Sequence, residues 1–118
     1  MSNPPLLTPH RDQGIPEVDC QDIQNLTAKL TLIDVRENDE FTGELGHIQG
    51  AKLITLGEAF EKFAETADKN QEMVLVFRSG GRSGRATAYC QAQGFTKTYN
   101  LRGGMLRWNE LQLPVSKA

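Results

Sequence analysis

The chain is poor in cysteine, has no long apolar run and carries only a small excess of negative charge. Its two cysteines, Cys20 and Cys90, are too few for a disulfide framework, and with His10 and His47 they lack the spacing of a metal site. Thirteen basic and fifteen acidic residues give a net charge of −2, which excludes a generally basic nucleic-acid binder. No run approaches the roughly 18 apolar residues of a membrane span. We therefore expect a reduced, cytoplasmic, single-domain protein with no membrane segment, no structural metal and no cofactor.

Residues 1–16 hold four of the five prolines, which predicts a flexible proline-rich lead before a folded domain over residues 17–118. The clearest strand is 73–77, which is apolar throughout and typical of a central parallel strand covered on both faces. Strand-like and helix-like segments alternate around it. This order predicts an α/β domain with a mainly parallel sheet of about five strands, flanked by helices on both faces.

The remaining elements follow from apolar periodicity and from capping residues. Further strands are predicted to end at Val18 and to span 30–35, 51–56 and 97–100, and a polar loop is predicted over 36–50. Helices are predicted after the N-cap Asp19, around 60–67, after the glycine-rich turn 78–84, and over 105–111.

The glycine-rich turn 78–84 is the most informative segment, because it joins the central strand to a helix. Its glycines let successive N–H groups point inward, and the helix N-terminus adds a partial positive charge. Arg78, Arg82 and Arg85 add three full positive charges. The pattern predicts a cradle for sulfate, phosphate or a persulfide-like group, the alternative being a tight turn with solvated arginines. It matches neither a Walker A motif nor a dinucleotide fingerprint.

Five short motifs occur in order: Ile-Asp-Val-Arg and Glu-Phe within 33–41, Gly-His-Ile-Gln-Gly-Ala at 46–51, Arg-Ser-Gly-Gly-Arg-Ser at 78–83, Gly-Phe at 94–95, and Leu-Arg-Gly-Gly-Met-Leu-Arg-Trp at 101–108. Over residues 17–112 the chain resembles the single-domain rhodaneses, the thiosulfate sulfurtransferase family. The resemblance implies their α/β fold and sulfur transfer as the family's activity. The resemblance also argues against a phosphatase, because the related phosphatases have an active-site loop one residue longer than the loop from Phe77 to Arg82.

One position departs from the family. The resemblance implies a cysteine directly before Arg78-Ser79-Gly80, where this chain has Phe77. The family's thiolate attacks the outer sulfur of thiosulfate and holds it as a persulfide, and phenylalanine has no atom for either task. We therefore expect no catalytic residue in this loop. The implied anion-binding loop comprises Phe77, Arg78, Ser79, Gly80, Gly81, Arg82 and Ser83, with Asp34 and Arg36 as its support.

The resemblance also implies that Asp34 pairs with a loop arginine or a backbone N–H and that Arg36 sits at the edge of the site. A scaffold role is the favoured interpretation of Asp34. His47 is expected to be structural, and Met105 and Trp108 are expected to lie in the core.

The leading hypothesis is a rhodanese-like domain without sulfur transfer, which binds a small oxyanion or a partner protein in a regulatory role. The first alternative is an active sulfurtransferase that uses Cys90 or Cys20. Cys90 is expected to be a small core thiol, whereas Cys20 is expected to be partly exposed and somewhat activated by its helix N-terminus. A further alternative is that Phe77 was introduced by substitution, although Ser or Ala is the usual choice for removing a nucleophile.

Overall fold

A computed structural model describes residues 4–79 and 81–118, with the backbone alone at 81–83. Its strands are β1 (His10–Asp12), β2 (Ile15–Val18), β3 (Thr31–Asp34), β4 (Lys52–Leu53), β5 (Met73–Val76) and β6 (Thr98–Leu101). Its helices are α1 (Cys20–Ile23), α2 (Asn38–Phe41), α3 (Glu58–Thr66), α4 (Gly81–Ala92) and α5 (Gly104–Glu110). The strands form one sheet in the order β1-β2-β6-β5-β3-β4, and only the β1–β2 pair is antiparallel. The predicted α/β fold with a mainly parallel sheet is confirmed.

The central strand β5 is buried on both faces, as its unbroken apolar sequence predicts. Because side chains alternate along a strand, Val74 and Val76 join one core cluster, whereas Met73 and Leu75 join the other. The first cluster contains residues of α1 and α5, and the second contains residues of α3 and α4. Helices therefore cover both faces of the sheet.

The sheet has six strands rather than about five, because part of the proline-rich lead joins it. β1 pairs with β2 through a two-residue turn at Gln13 and Gly14, whose φ angles are 52° and 84°. Both angles are positive, which suits the twist of a hairpin. Leu7 is also buried in the core, and its backbone N–H donates to the Glu72 carboxylate at 3.0 Å. Sequence patterning does not find β1, because all three of its residues are exposed and none alternates with an apolar neighbour.

Several other elements differ from their predicted extents, and β4 has two residues where a strand over 51–56 is predicted. α1 begins directly after the predicted N-cap Asp19 but ends at Ile23, before Leu26. The predicted polar loop contains α2, where the Glu37 N–H donates to the Glu40 carboxylate at 3.1 Å and closes a capping box. α4 begins at Gly81, so the second half of the predicted glycine-rich turn forms its first turn. The loop after β5 is correspondingly short, so α4 begins only a few residues after β5 ends.

Candidate functional site

The exit from β5 places the candidate loop at the carboxyl edge of the sheet, where ligands of open α/β sheets bind. Phe77 is 7% exposed and packs in the α3–α4 core cluster, whereas Arg78 and Ser79 are exposed. Gly80 lies outside the described residues, as do the side chains of Gly81, Arg82 and Ser83. The described half of the loop thus turns its phenylalanine inward and its polar residues outward.

The start of α5 holds this loop in place. The N–H of Met105 donates to the Phe77 carbonyl and the N–H of Leu106 to the Arg78 carbonyl, both at 2.9 Å. These N–H groups belong to the first turn of α5 and have no partner within their helix, so the loop carbonyls satisfy them. Gly104 has a φ of 54°, and a Cβ there would lie 2.7 Å from the Arg78 carbonyl oxygen. The glycine pair of the last motif thus permits close approach of two backbones.

Asp34 and Arg36 form a buried ion pair beside the loop. The Arg36 Nε and Nη2 donate to the two carboxylate oxygens of Asp34 at 2.9 and 2.7 Å, and the Arg36 N–H donates to Oδ1 at 3.1 Å. Nη2 also donates to the Gly46 carbonyl at 2.7 Å. Their exposed fractions are 0% and 1%. Asp34 therefore pairs with Arg36 rather than with a described loop arginine, and Arg36 is a buried anchor of the 36–46 segment.

A surface cleft of about 390 Å³ opens between this segment, the loop and α5. Its walls include Arg36, Arg78 and Leu106. The acidic residues Asp39, Glu40 and Glu44 also line it. Only the two arginines among these residues were expected from the sequence to belong to the site. The acidic residues are missed because they fall in a segment predicted to be a loop. The run of acids over 37–44 is the signal that could have drawn attention to them.

Neither cysteine lies at the candidate loop, and both are free and buried. Cys90 belongs to the α3–α4 core cluster, as predicted. The expectation that Cys20 is partly exposed and activated is wrong, because it is 1% exposed in the other cluster. Burial raises the pKa of each thiol to about 11, against smaller lowering effects of Arg107 at Cys20 and of Lys69 at Cys90. Desolvation outweighs the nearby positive charge at both sites.

The remaining motif residues have structural partners. His47 Nδ1 lies 2.8 Å from the Phe41 carbonyl, which can only accept, so this nitrogen donates. The His47 ring stacks on that of Phe41 with centroids 3.6 Å apart. Met105 and Trp108 are buried in the core, which confirms their prediction.

Two kinds of feature are absent from the part of the chain that the structure describes. No group of three or more His, Cys, Asp or Glu within residues 4–79 and 81–118 could hold a metal ion. No helix in the same ranges is long and apolar enough to cross a lipid bilayer.

Comparison with known proteins matches residues 19–111 to the family of rhodanese-like domains. The protein YtwF of Bacillus subtilis is 46% identical over 80 residues, which cover 68% of this chain and 74% of that protein. A sulfurtransferase of Allochromatium vinosum is 33% identical over 89 residues, which cover 75% of this chain and 80% of that protein.

The similarity to a solved structure supports the same fold. A rhodanese-related protein from Thermoplasma volcanium superposes with a TM-score of 0.73 at 21% identity, covering 86% of this chain and 98% of the other. At that identity the likeness bears on the fold alone. The family match itself spans most of the sequence and includes β5, the loop and α5. The chain belongs to the family of rhodanese-like domains.

Proposed function

We propose that this rhodanese-like domain does not transfer sulfur at its loop and acts instead as a binding module for a small oxyanion or a partner protein. The observation that carries the proposal is Phe77, which directly follows the central strand, precedes Arg78 and is 7% exposed. Sulfur transfer needs a thiolate at the loop to attack the donor and to hold the persulfide. The Phe77 ring supplies neither function, and its place in the core makes it a packing residue.

The rest of the loop supports a binding role. Arg78 and Ser79 are exposed, and the chain enters α4 immediately beyond them. A cationic side chain and the backbone N–H groups at the start of a helix can bind an anion. Such binding needs no nucleophile. We include residues 77–83 in this anion-binding loop. Asp34 and Arg36 support it indirectly, because their buried pair holds the neighbouring 36–46 segment.

A sulfurtransferase that uses a different thiol is the second candidate. The Cys20 Sγ lies 4.0 Å from the Gly104 carbonyl oxygen, and Gly104 itself contacts the loop backbone. Cys20 also borders a cavity of about 410 Å³ whose walls include Arg102 and Arg107. Against this candidate, a pKa of about 11 leaves little thiolate near neutral pH. The reducing, cytoplasmic setting predicted from the sequence remains part of the proposal for either candidate.

The decisive experiment is a thiosulfate-to-cyanide sulfur-transfer assay on the unmodified protein, Phe77→Cys and Phe77→Ser. The serine variant is the matched control, because it removes the ring without adding a thiol. We expect background rates for the unmodified and serine proteins and activity in the cysteine variant. Circular dichroism of all three proteins establishes that each is folded.

Two results would overturn parts of the proposal. Sulfur transfer by the unmodified protein, lost in the Cys20→Ser/Cys90→Ser double variant, would establish the second candidate. A folded but inactive Phe77→Cys protein would mean that the loop does not stabilise an anion, and would leave only partner binding.

A further inference from the structure

The cleft of about 390 Å³ beside the loop is called here the acidic cleft, and its lining includes Arg36, Asp39, Glu40, Glu44, Arg78 and Leu106. We propose that it docks a basic peptide segment of a partner protein by accepting a lysine or arginine side chain. This inference rests on the proposed function, because it names the partner class of a domain that acts by binding. The carboxylates belong to α2 and to the turn after it, so a single segment of the fold provides the acidic wall.

The charge of the cleft is negative once internal pairing is taken into account. The charge of Arg36 is neutralised within the protein, because its guanidinium donates two hydrogen bonds to the Asp34 carboxylate. Asp39 and Glu44 are exposed, and no ion pair joins either to another described residue. Three acidic residues therefore line the cleft, and the only other cation there is Arg78, which no ion pair joins to another described residue. A cationic group gains most where it lies closer to Asp39 and Glu44 than to Arg78.

The shape and polarity of the cleft suit a side chain with an apolar stem and a charged end. Leu45 and Leu106 line it and are half-buried, so each leaves apolar surface in contact with solvent. Lysine and arginine bury their methylene groups against such surface and keep the charged head at a polar rim. The same carboxylates repel phosphate groups, which favours a protein partner over a nucleic acid.

The position of the cleft connects it to the loop. Arg78 belongs to both, and the backbone of Leu106 holds the Arg78 carbonyl at 2.9 Å. A peptide in the acidic cleft would lie next to Arg78, so a partner docked there would restrict access to the loop at that residue. This adjacency couples partner binding to access at the anion-binding loop.

The test is an NMR titration of the isotope-labelled full chain with a hexalysine peptide, with hexaglutamate as the probe of opposite charge. We expect amide shifts caused by hexalysine to concentrate at residues 39–45, 78 and 106, and to weaken as salt is added. The Asp39→Asn/Glu44→Gln variant should bind hexalysine about fivefold more weakly, since each exposed pair contributes modestly. The matched control is Glu61→Gln/Glu65→Gln, which removes the same charge from exposed positions on α3 and should leave the affinity unchanged.

Equal weakening by the two double variants, shifts spread over the whole surface, or binding of a single-stranded RNA in the cleft would overturn the inference. Absence of hexalysine binding at low salt would overturn it as well. None of these results changes the outcome of the sulfur-transfer assay. Conversely, sulfur transfer by the unmodified protein would refute the proposed function even if hexalysine occupies the cleft.

Discussion

The backbone of Gly104 lies directly against the carbonyl of Phe77, so closely that a Cβ on Gly104 would collide with that oxygen. The adjoining Met105 N–H donates to the same carbonyl at 2.9 Å. The glycine that begins α5 and the residue that directly follows β5 thus form one backbone contact. The contact determines where the loop begins, whatever side chain occupies position 77.

Gly104→Ala should therefore destabilise the domain and displace the start of the loop. The substitution combines a positive φ of 54° with a steric clash against backbone, and we expect a loss of about 2–4 kcal/mol in unfolding free energy. Chemical denaturation measures the loss. Gly50→Ala is the control, because Gly50 has a φ of 92° but open space around it, so it carries the conformational cost of about 1 kcal/mol alone. Equal losses in the two variants would show that the close approach to the loop is unimportant.

Arg36→Met should cost far more stability than its position in a polar segment suggests. The variant leaves the Asp34 carboxylate buried without its charged partner, and we expect a loss of about 3–5 kcal/mol. Urea denaturation measures it, and Asp34→Leu/Arg36→Met should recover most of the loss, because no charge is then buried alone. Lys62→Met is the control, since the Lys62–Glu58 pair is exposed and should contribute less than about 1 kcal/mol. A mild effect of Arg36→Met would contradict the buried pair.

Sequence patterning predicts the parts of the fold that depend on apolar burial. It finds β5 because the strand is apolar on both faces, and it finds the core helix α5 from Met105 and Trp108. It misses β1 and α2, whose residues are polar and whose formation depends on a turn and a capping box. The burial of Arg36 could not be predicted either, because it requires the Gly46 carbonyl from ten residues further along. Site features that depend on such tertiary partners leave no periodic signal in the sequence.

Thr98→Val should stabilise the protein. The Thr98 hydroxyl in β6 is buried, and it is the one buried side-chain polar atom of the described residues that lacks a hydrogen-bond partner. Replacing the hydroxyl by a methyl group of similar size removes this desolvation cost, and we expect a gain of about 1 kcal/mol. A rise in the urea midpoint at constant m-value is the measurement. Thr31→Val is the control, because the Thr31 hydroxyl donates to Gln71 at 2.8 Å and its removal should not stabilise. A loss of stability in Thr98→Val would reveal a hidden partner.

The two thiols should be almost inert in the native protein. With the pKa of each near 11, only about one molecule in a thousand carries a given thiolate at pH 8, so labelling by iodoacetamide should be slow until the protein unfolds. The raised pKa values also predict a stability change with pH. Both thiols ionise near pH 9.0 when unfolded and near 11 when folded, so their contribution to stability is complete below pH 9 and is lost as the pH rises through 11.

Labelling rates followed by mass spectrometry, between pH 7 and pH 10, give the measurement. The native rate should increase about tenfold per pH unit across this range without levelling off, because the thiols stay mostly protonated. Unfolded protein is the control, and its rate should level off above pH 9, near the ordinary thiol pKa. Rapid labelling of native Cys20 at pH 7 would contradict its burial. It would also support sulfur transfer by a thiol outside the loop, since an accessible Cys20 thiolate beside Gly104 could reach a sulfur donor bound near Gly104.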